Sequence, residues 1–309
     1  MALRIGLLGI GKIARDQHIP ALHADRSFEL VACASRNASV AGVENYPDLP
    51  AMLAGAKNLD CISICTPPQA HFAAALTALR AGCHVMLEKP PTATTRQIAL
   101  LADEARRVNR TLFQTWHSRF AAGVDAARDW LRTRELTGGR IVWKEDVHHW
   151  HPGQRWIWEP GGFGVFDPGI NALSVLTEVL PKDVCVEKAT LEFPENQQSP
   201  IAALLGMRTE DGIAIEAEFD FRQKGEQSWD IELTTTTGRL KLSNGGATLA
   251  IDGKTVTSDA GLAGEYPRLY QRFAKLCTAE RSEVDWRPFQ LVADAFLIGE
   301  RRIVAPHHI

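Results

Sequence analysis

Three side chains could carry a reaction. Lys89 ends the apolar run "HVMLEKP" (84–90), and Asp167 and Asn171 bracket "DPGIN" (167–171). A lysine and a carboxylate can hold or move a proton at a reacting oxygen. The neutral amide of Asn171 can only donate and accept hydrogen bonds, so it orients and does not abstract. On a helix, Asn171 would follow Asp167 by about 6 Å along the axis, on roughly the same face. The pentapeptide also has a plainer reading: Pro168 suits the first helical position, and an Asp before it is a good N-cap. Residue type alone favours the cap. The two roles are compatible, because one carboxylate oxygen can cap while the other faces a substrate.

A second set of residues could hold a nucleotide. "GIGKIA" (9–14) follows an apolar run, "RIGLLGI", and opens a helical pattern. That is the context in which GxGxxG/A binds a dinucleotide. Gly9 permits the tight turn, Gly11 admits a pyrophosphate to the backbone, and Lys12 and Ile13 begin the helix whose N-terminus stabilises it. An acidic residue at the end of the second strand would bind the 2′-hydroxyl of NAD; here stand Ser35 and Arg36. A hydroxyl and a guanidinium suit a 2′-phosphate, so NADP is the expected cofactor, with NAD tolerated. An Arg36 that is only a solvated loop residue is the alternative. Open α/β sheets bind ligands beyond the carboxyl ends of their strands. "CTPPQAH" (65–71) and "EKPP" (88–91) lie at two such ends, adding Thr66, Pro67, Glu88 and Lys89 to the cofactor cleft. His71 is placed with them, although capping or packing its helix is its more ordinary role. Pro90 allows a cis Lys89–Pro90 bond.

A third set could read a sugar. Trp143, Trp150, Trp156 and Trp158 alternate with His148, His149 and His151 beside Glu145. Indole faces match the C–H faces of a pyranose, and His and Glu read hydroxyls. Trp143 and Trp158 are read as core or lid packing. The histidines lack i, i+4 spacing and have no cysteine beside them, so no metal site is expected.

These groups need elements to hold them. Near-continuous apolar runs at 4–10, 28–35, 60–66, 84–90 and 110–116 alternate with helical stretches, which implies a parallel sheet covered on both faces. After about residue 118 the pattern changes. "IAIEAEFDF" (213–221) alternates strictly, and "DIELTTTT", "GRLKLS" and "ATLAIDGKTVTS" follow, reading as an antiparallel meander. Helical patterns at 266–279 and 288–303 close the chain. The expectation is α/β: a dinucleotide-binding domain over 1–118, then an α+β domain over 119–309 for substrate and oligomerisation. A half-apolar sheet face such as 213–221 must be covered by helices or by a second subunit.

At 309 residues, 45% hydrophobic and 23% charged, the composition is globular. A formal charge of −3 gives no reason to expect nucleic acid or an anionic membrane as partner. No stretch reads as a signal peptide or a membrane span. The six cysteines include no CxxC and mostly sit in apolar runs, so a reduced, cytoplasmic protein is expected.

GIGKIA, then TPPxxH, then EKP, with DPGIN in a second domain, resembles the glucose–fructose oxidoreductase/inositol dehydrogenase (Gfo/Idh/MocA) family, and the resemblance runs essentially end to end. It implies a Rossmann domain followed by a domain on a large, mostly antiparallel open sheet that often forms a dimer interface. It also implies NAD(P)-dependent oxidation or reduction at a carbinol carbon, with Lys89 beside the nicotinamide. "TWHSR" (115–119), "WKEDV" (143–147) and 150–174 look most like bacterial L-arabinose/D-galactose 1-dehydrogenases, which oxidise an aldopyranose at C1 to the aldonolactone. On that resemblance Lys89, His117, Glu145, Trp150, His151, Asp167, Asn171 and Trp229 would contact the sugar. Many members carry a histidine, usually assigned the proton transfer, where this chain has Asn171. The proton would then fall to Asp167, helped by Lys89. An oxidoreductase of another polyol, or a non-catalytic NADP-binding regulator, are the competing readings.

Overall fold

The computed structural model describes residues 2–259 and 261–308, the side chains of Leu262 and Ala263 excepted. The chain divides into two units, one of Met1–Trp116 with Tyr266–Trp286, the other of His117–Glu265 with Arg287–Ile309.

In the first unit the apolar runs become β1 (Leu3–Leu8), β2 (Phe28–Ala34), β3 (Glu44–Tyr46), β4 (Cys61–Ile64), β5 (His84–Leu87) and β6 (Leu112–Gln114). They form one parallel sheet in the order β3-β2-β1-β4-β5-β6. Helices can cover both faces of such a sheet, and Ile5, Leu7, Cys33, Ile62, Ile64 and Val85 are accordingly fully buried. The strand order reverses between β1 and β4, and the carboxyl end of β1 at that reversal is where ligands bind in doubly wound folds. The first helix contains a π-turn, Ala14–His18, before α1 (Ile19–Ala24). The connecting helices are α2 (Leu49–Gly55), α3 (Pro68–Arg80) and α4 (Thr95–Arg107).

The second unit carries β7 (Leu136–Lys144), β8 (Val184–Pro194), β9 (Ala202–Thr209), β10 (Ala214–Asp220), β11 (Ser228–Thr235), β12 (Gly238–Ser243), β13 (Thr248–Ile251), β14 (Lys254–Ser258) and β15 (Glu300–Val304). Their order is β14-β13-β12-β11-β7-β10-β9-β8-β15. The expected meander is therefore interrupted: β7 lies between β10 and β11, parallel to the first and antiparallel to the second. Its helices are α5 (Val124–Leu131), α6 (Val147–Trp150) and α7 (Phe166–Val179). The alternating face of β10 is buried, and Phe166 of α7 packs edge-on to Phe219 at 5.6 Å. A helix of the same chain thus covers that face. The opposite face bears charge pairs such as Lys241–Asp230 and Arg222–Glu192, both 2.8 Å.

The last two helices differ from expectation. Of α8 (Leu262–Thr278), the part from Tyr266 onward groups with the first unit, where Phe273 stacks between Phe28 and Phe113 at 5.7 and 6.0 Å. Then α9 (Arg287–Ile298) ends before Gly299, and residues 300–303, read as helix from sequence, are strand β15 paired to β8. Gly299 disfavours helix continuation, and the adjacent edge of β8 offers the following residues a ladder of hydrogen bonds.

Candidate active site

The nucleotide cradle forms around Gly9, which follows β1 with φ +89°. A Cβ there would lie 2.9 Å from Thr66 Cγ2 and 3.0 Å from the backbone of Cys65 and Thr66, so only glycine fits this turn. A Cβ on Gly11 would meet nothing within 4 Å, and that open space is what a pyrophosphate needs beside the backbone. Thr66 Oγ1 is buried without a hydrogen-bond partner, a polar atom left for a ligand. These features fit a dinucleotide. Lys12 pairs with Asp16 one turn along its helix, Ile13 opens that helix, and Arg36 is exposed just past β2, with Ser35 half-buried before it.

The two loops at the ends of β4 and β5 are tied together. Pro67 caps α3, and His71 on that helix is fully buried. Its Nδ1 lies 3.0 Å from Pro90 O and 3.2 Å from Pro91 O, while Nε2 meets Thr66 O. Burial lowers its pKa against the raising effect of those carbonyls and of Glu88. The ring therefore staples the loop after β4 to the loop after β5, as its packing role anticipates. The Lys89–Pro90 bond is cis. The carboxylate of Glu88 is also turned inward. Its Oε1 accepts from Tyr266 Oη at 2.9 Å and lies 3.0 Å from His18 Nε2, and Oε2 accepts from the Lys89 N–H at 2.8 Å.

In the second unit the predicted sugar-reading residues converge. Glu145, the residue after β7, is 3% exposed. One of its oxygens lies 2.9 Å from His151 Nε2, and the other accepts from Trp229 Nε1 at 2.9 Å. His151 Nδ1 faces Asp167 Oδ2 at 3.6 Å and Gln154 Oε1 at 3.4 Å. Two carboxylates thus share one imidazole. Beside them Trp229 stacks on the buried Trp143 at 6.0 Å and tilts against Trp150 at 4.9 Å. Trp158 is buried as expected for a packing residue.

Asp167 is not the helix cap. α7 begins one residue earlier, with Val165 in the cap position and no side-chain cap bond. Gly164, at φ +53°, has already turned the chain, and its carbonyl accepts the Asp167 N–H at 2.9 Å. The buried carboxylate faces His151 instead. Asn171 follows one turn later, its Oδ1 buried with no partner. His117 is buried with its Nδ1 2.6 Å from Glu265 Oε2. Nothing in the local sequence marks Glu265 or Gln154 as partners. A buried histidine implies an acid somewhere, but not which one. Among the described residues no cluster of three or more His, Cys, Asp or Glu could hold a metal ion, and all six cysteines are free thiols. No helix among them is long and apolar enough to cross a membrane.

A parallel sheet with a glycine turn at its switch point, joined to a second unit on a large mixed sheet, defines an oxidoreductase with an NAD-binding Rossmann fold. Residues 3–115 match the family described as "Oxidoreductase family, NAD-binding Rossmann fold". Galactose 1-dehydrogenase of Pseudomonas fluorescens is 46% identical over 299 residues, 97% of this chain and 96% of that protein. The crystal structure of D-galactose-1-dehydrogenase from Rhizobium etli superimposes with a TM-score of 0.94 at 48% identity, covering 99% of this chain and 98% of that one. A 3-ketoreductase from Actinomadura kijaniata, solved with NADP, shares the fold at 20% identity and a TM-score of 0.86, over 98% of this chain and 100% of its own. The chain belongs to the Gfo/Idh/MocA oxidoreductase family.

Proposed function

We propose that this enzyme is an NADP-dependent sugar 1-dehydrogenase that oxidises D-galactose, and L-arabinose, at C1 to the aldonolactone. The observation that carries the reading is the Glu145–His151–Asp167 cluster walled by Trp229 and Trp150. It offers two buried acceptors, a shared imidazole and indole surface in one place, which suits a polyhydroxylated ring. The whole-chain similarity to two galactose 1-dehydrogenases supports the same substrate class. L-Arabinose and D-galactose share ring stereochemistry and differ at the C5 substituent, so one cluster can serve both.

Gly9, Gly11, Lys12 and Ile13 would hold the pyrophosphate, Ser35 and Arg36 the 2′-phosphate, and Thr66 and Pro67 the nicotinamide end of the cofactor. A bound nicotinamide dinucleotide supplies the hydride acceptor. Asp167 takes the C1 hydroxyl proton as the C1–H bond breaks, and Asn171 and His117 orient the sugar; Lys89, just past the end of β5, is the residue proposed to help that proton transfer. A positioned base of this kind contributes about 10²–10⁴-fold. Reduced thiols accord with a cytoplasmic enzyme. Exposed Leu204 and Ile303 on the nine-stranded sheet support a homodimer through that sheet, which light scattering would read as twice the chain mass.

The test is dinucleotide reduction with D-galactose, L-arabinose, D-glucose and myo-inositol, each with NADP and with NAD. Turnover of the first two, and its loss by about 10²-fold or more in Asp167→Asn, is expected. Dinucleotide binding without turnover of any sugar would instead mark a regulatory protein.

A further inference from the structure

A cluster of buried titratable side chains in the first unit takes no part in the reaction above. His18 and Tyr270 are fully buried, as is Tyr266, and Glu88 is 4% exposed. His18 Nδ1 lies 2.8 Å from Tyr270 Oη, which in turn donates to Ser63 Oγ at 3.4 Å. His18 Nε2 and Tyr266 Oη both meet Glu88 Oε1, at 3.0 and 2.9 Å. With the imidazole doubly protonated, every donor in this chain finds an acceptor: Nε2–H to Glu88, Nδ1–H to Tyr270, and Tyr270 O–H to Ser63. Burial by itself would lower the pKa of His18. The groups around it, Cys65 and Tyr270 as well as Glu88, outweigh that and hold it well above the ordinary histidine range.

Apolar residues of similar volume would fill this space at less cost than a buried ion pair, so the pair's contribution is sought in what it fixes. The other oxygen of Glu88 shows what that is, since it accepts the backbone N–H of Lys89 at 2.8 Å. A second observation points the same way. His18 ends a π-turn, a rare helical geometry that recurs at functional sites. The extra residue in that turn changes which side chains of the helix face inward, and His18 is among those that do.

We propose that His18, Glu88 and Tyr266 are positioning residues for Lys89. His18 and Tyr266 lock the Glu88 carboxylate, and the carboxylate pins the Lys89 backbone at the end of β5, so that the lysine side chain leaves the strand in one direction. The proposal rests on the reading of Lys89 as a participant in the reaction.

A mutant cycle with D-galactose and NADP tests it, using Glu88→Gln, Lys89→Met and the double variant, with Tyr266→Phe as a milder second probe. Glu88→Gln is expected to lower kcat about 10- to 100-fold while the dinucleotide Kd, read by fluorescence titration, stays within about twofold. In the Lys89→Met background the same change should cost less than about twofold, because the residue through which it acts is gone. Tyr266→Phe should lower kcat by about 3- to 10-fold, and it carries the cycle if Glu88→Gln does not fold. Hydrogen-exchange mass spectrometry supplies a readout independent of turnover: both variants should exchange the 84–92 segment faster by about tenfold. Equal kcat losses with and without Lys89, or unchanged exchange in that segment, would overturn the proposal and leave the cluster a packing feature. Full activity of Lys89→Met alone would remove Lys89 from the reaction, and the positioning role with it. Faster exchange without turnover of any sugar would uphold the pinning while refuting the sugar dehydrogenase.

Discussion

Trp229→Phe isolates one bond in the candidate sugar site. The indole Nε1 donates to Glu145 Oε2 at 2.9 Å, and Glu145 is 3% exposed. Phenylalanine keeps an aromatic ring against Trp143 and Trp150 but removes the N–H, leaving one oxygen of a buried carboxylate unpaired. Loss of a hydrogen bond to a charged group costs about 1.5–3 kcal/mol. The smaller ring gives up part of two aromatic contacts, each worth about 0.5–1.5 kcal/mol. The sum is about 2–4 kcal/mol. For a unit of this size each kcal/mol lowers Tm by about 2–4 °C, so a fall of about 4–16 °C is expected by scanning calorimetry. The sugar KM should rise about tenfold, since Glu145 keeps only its His151 tether. Combining Trp229→Phe with Glu145→Gln should be non-additive by about 1 kcal/mol or more. A Tm drop under about 1 °C, or strict additivity, would show that the indole does not hold the carboxylate.

Three other outcomes are expected. Arg36→Ala should raise the KM for NADP about tenfold and leave that for NAD within about twofold; a parallel change in both would refute the 2′-phosphate role. Gly9→Ala should abolish dinucleotide binding in a folded protein, because it combines a positive φ, costing about 1–2 kcal/mol, with backbone atoms 3.0 Å from the new Cβ; isothermal titration calorimetry reads the result. The pH dependence follows from His18, whose folded pKa is raised while Glu88, Tyr266, Tyr270 and Cys65 surround it. A raised pKa stabilises the folded state fully below about pH 6.5, and that contribution is lost as pH rises through the folded value. Wild-type Tm should therefore fall more steeply than that of His18→Gln above neutrality, and parallel slopes would mean that His18 is not protonated.

Much of the first unit was legible because its signals are local. A strand, a glycine turn and a helix in sequence fix GIGKIA at the carboxyl end of β1, and β-branched runs with helical spacers give the parallel sheet. Glu145, His151 and the tryptophans beside them stood out in the sequence as residue types, but the contact between Glu145 and His151 appears only in the structure. What failed depended on backbone geometry or on distant partners. Asp-Pro reads as a cap, but Gly164 turns the chain early enough for the helix to start at Phe166. The π-turn breaks the 3.6-residue period by which a buried His18 would be recognised. Its partners Glu88, Tyr266 and Tyr270 lie 70 or more positions away, beyond the reach of any periodicity. β7 enters the second sheet between β10 and β11 although its sequence precedes both, and strand order of this kind leaves no trace in alternation.

The return of the chain at Tyr266 has a consequence for recombination. The first unit is built from two stretches, and the second supplies Phe273 to the stack between Phe28 and Phe113, together with Tyr266 and Tyr270 to the ion-pair cluster. A crossover near residue 118 that exchanged everything downstream would bring in a foreign seal for the native nucleotide half. Chimeras that graft a new second unit onto this first unit need three joints, at 116/117, 265/266 and 286/287. The first unit is inherited as a loop and its clasp, and only sequences that keep both can trade partners.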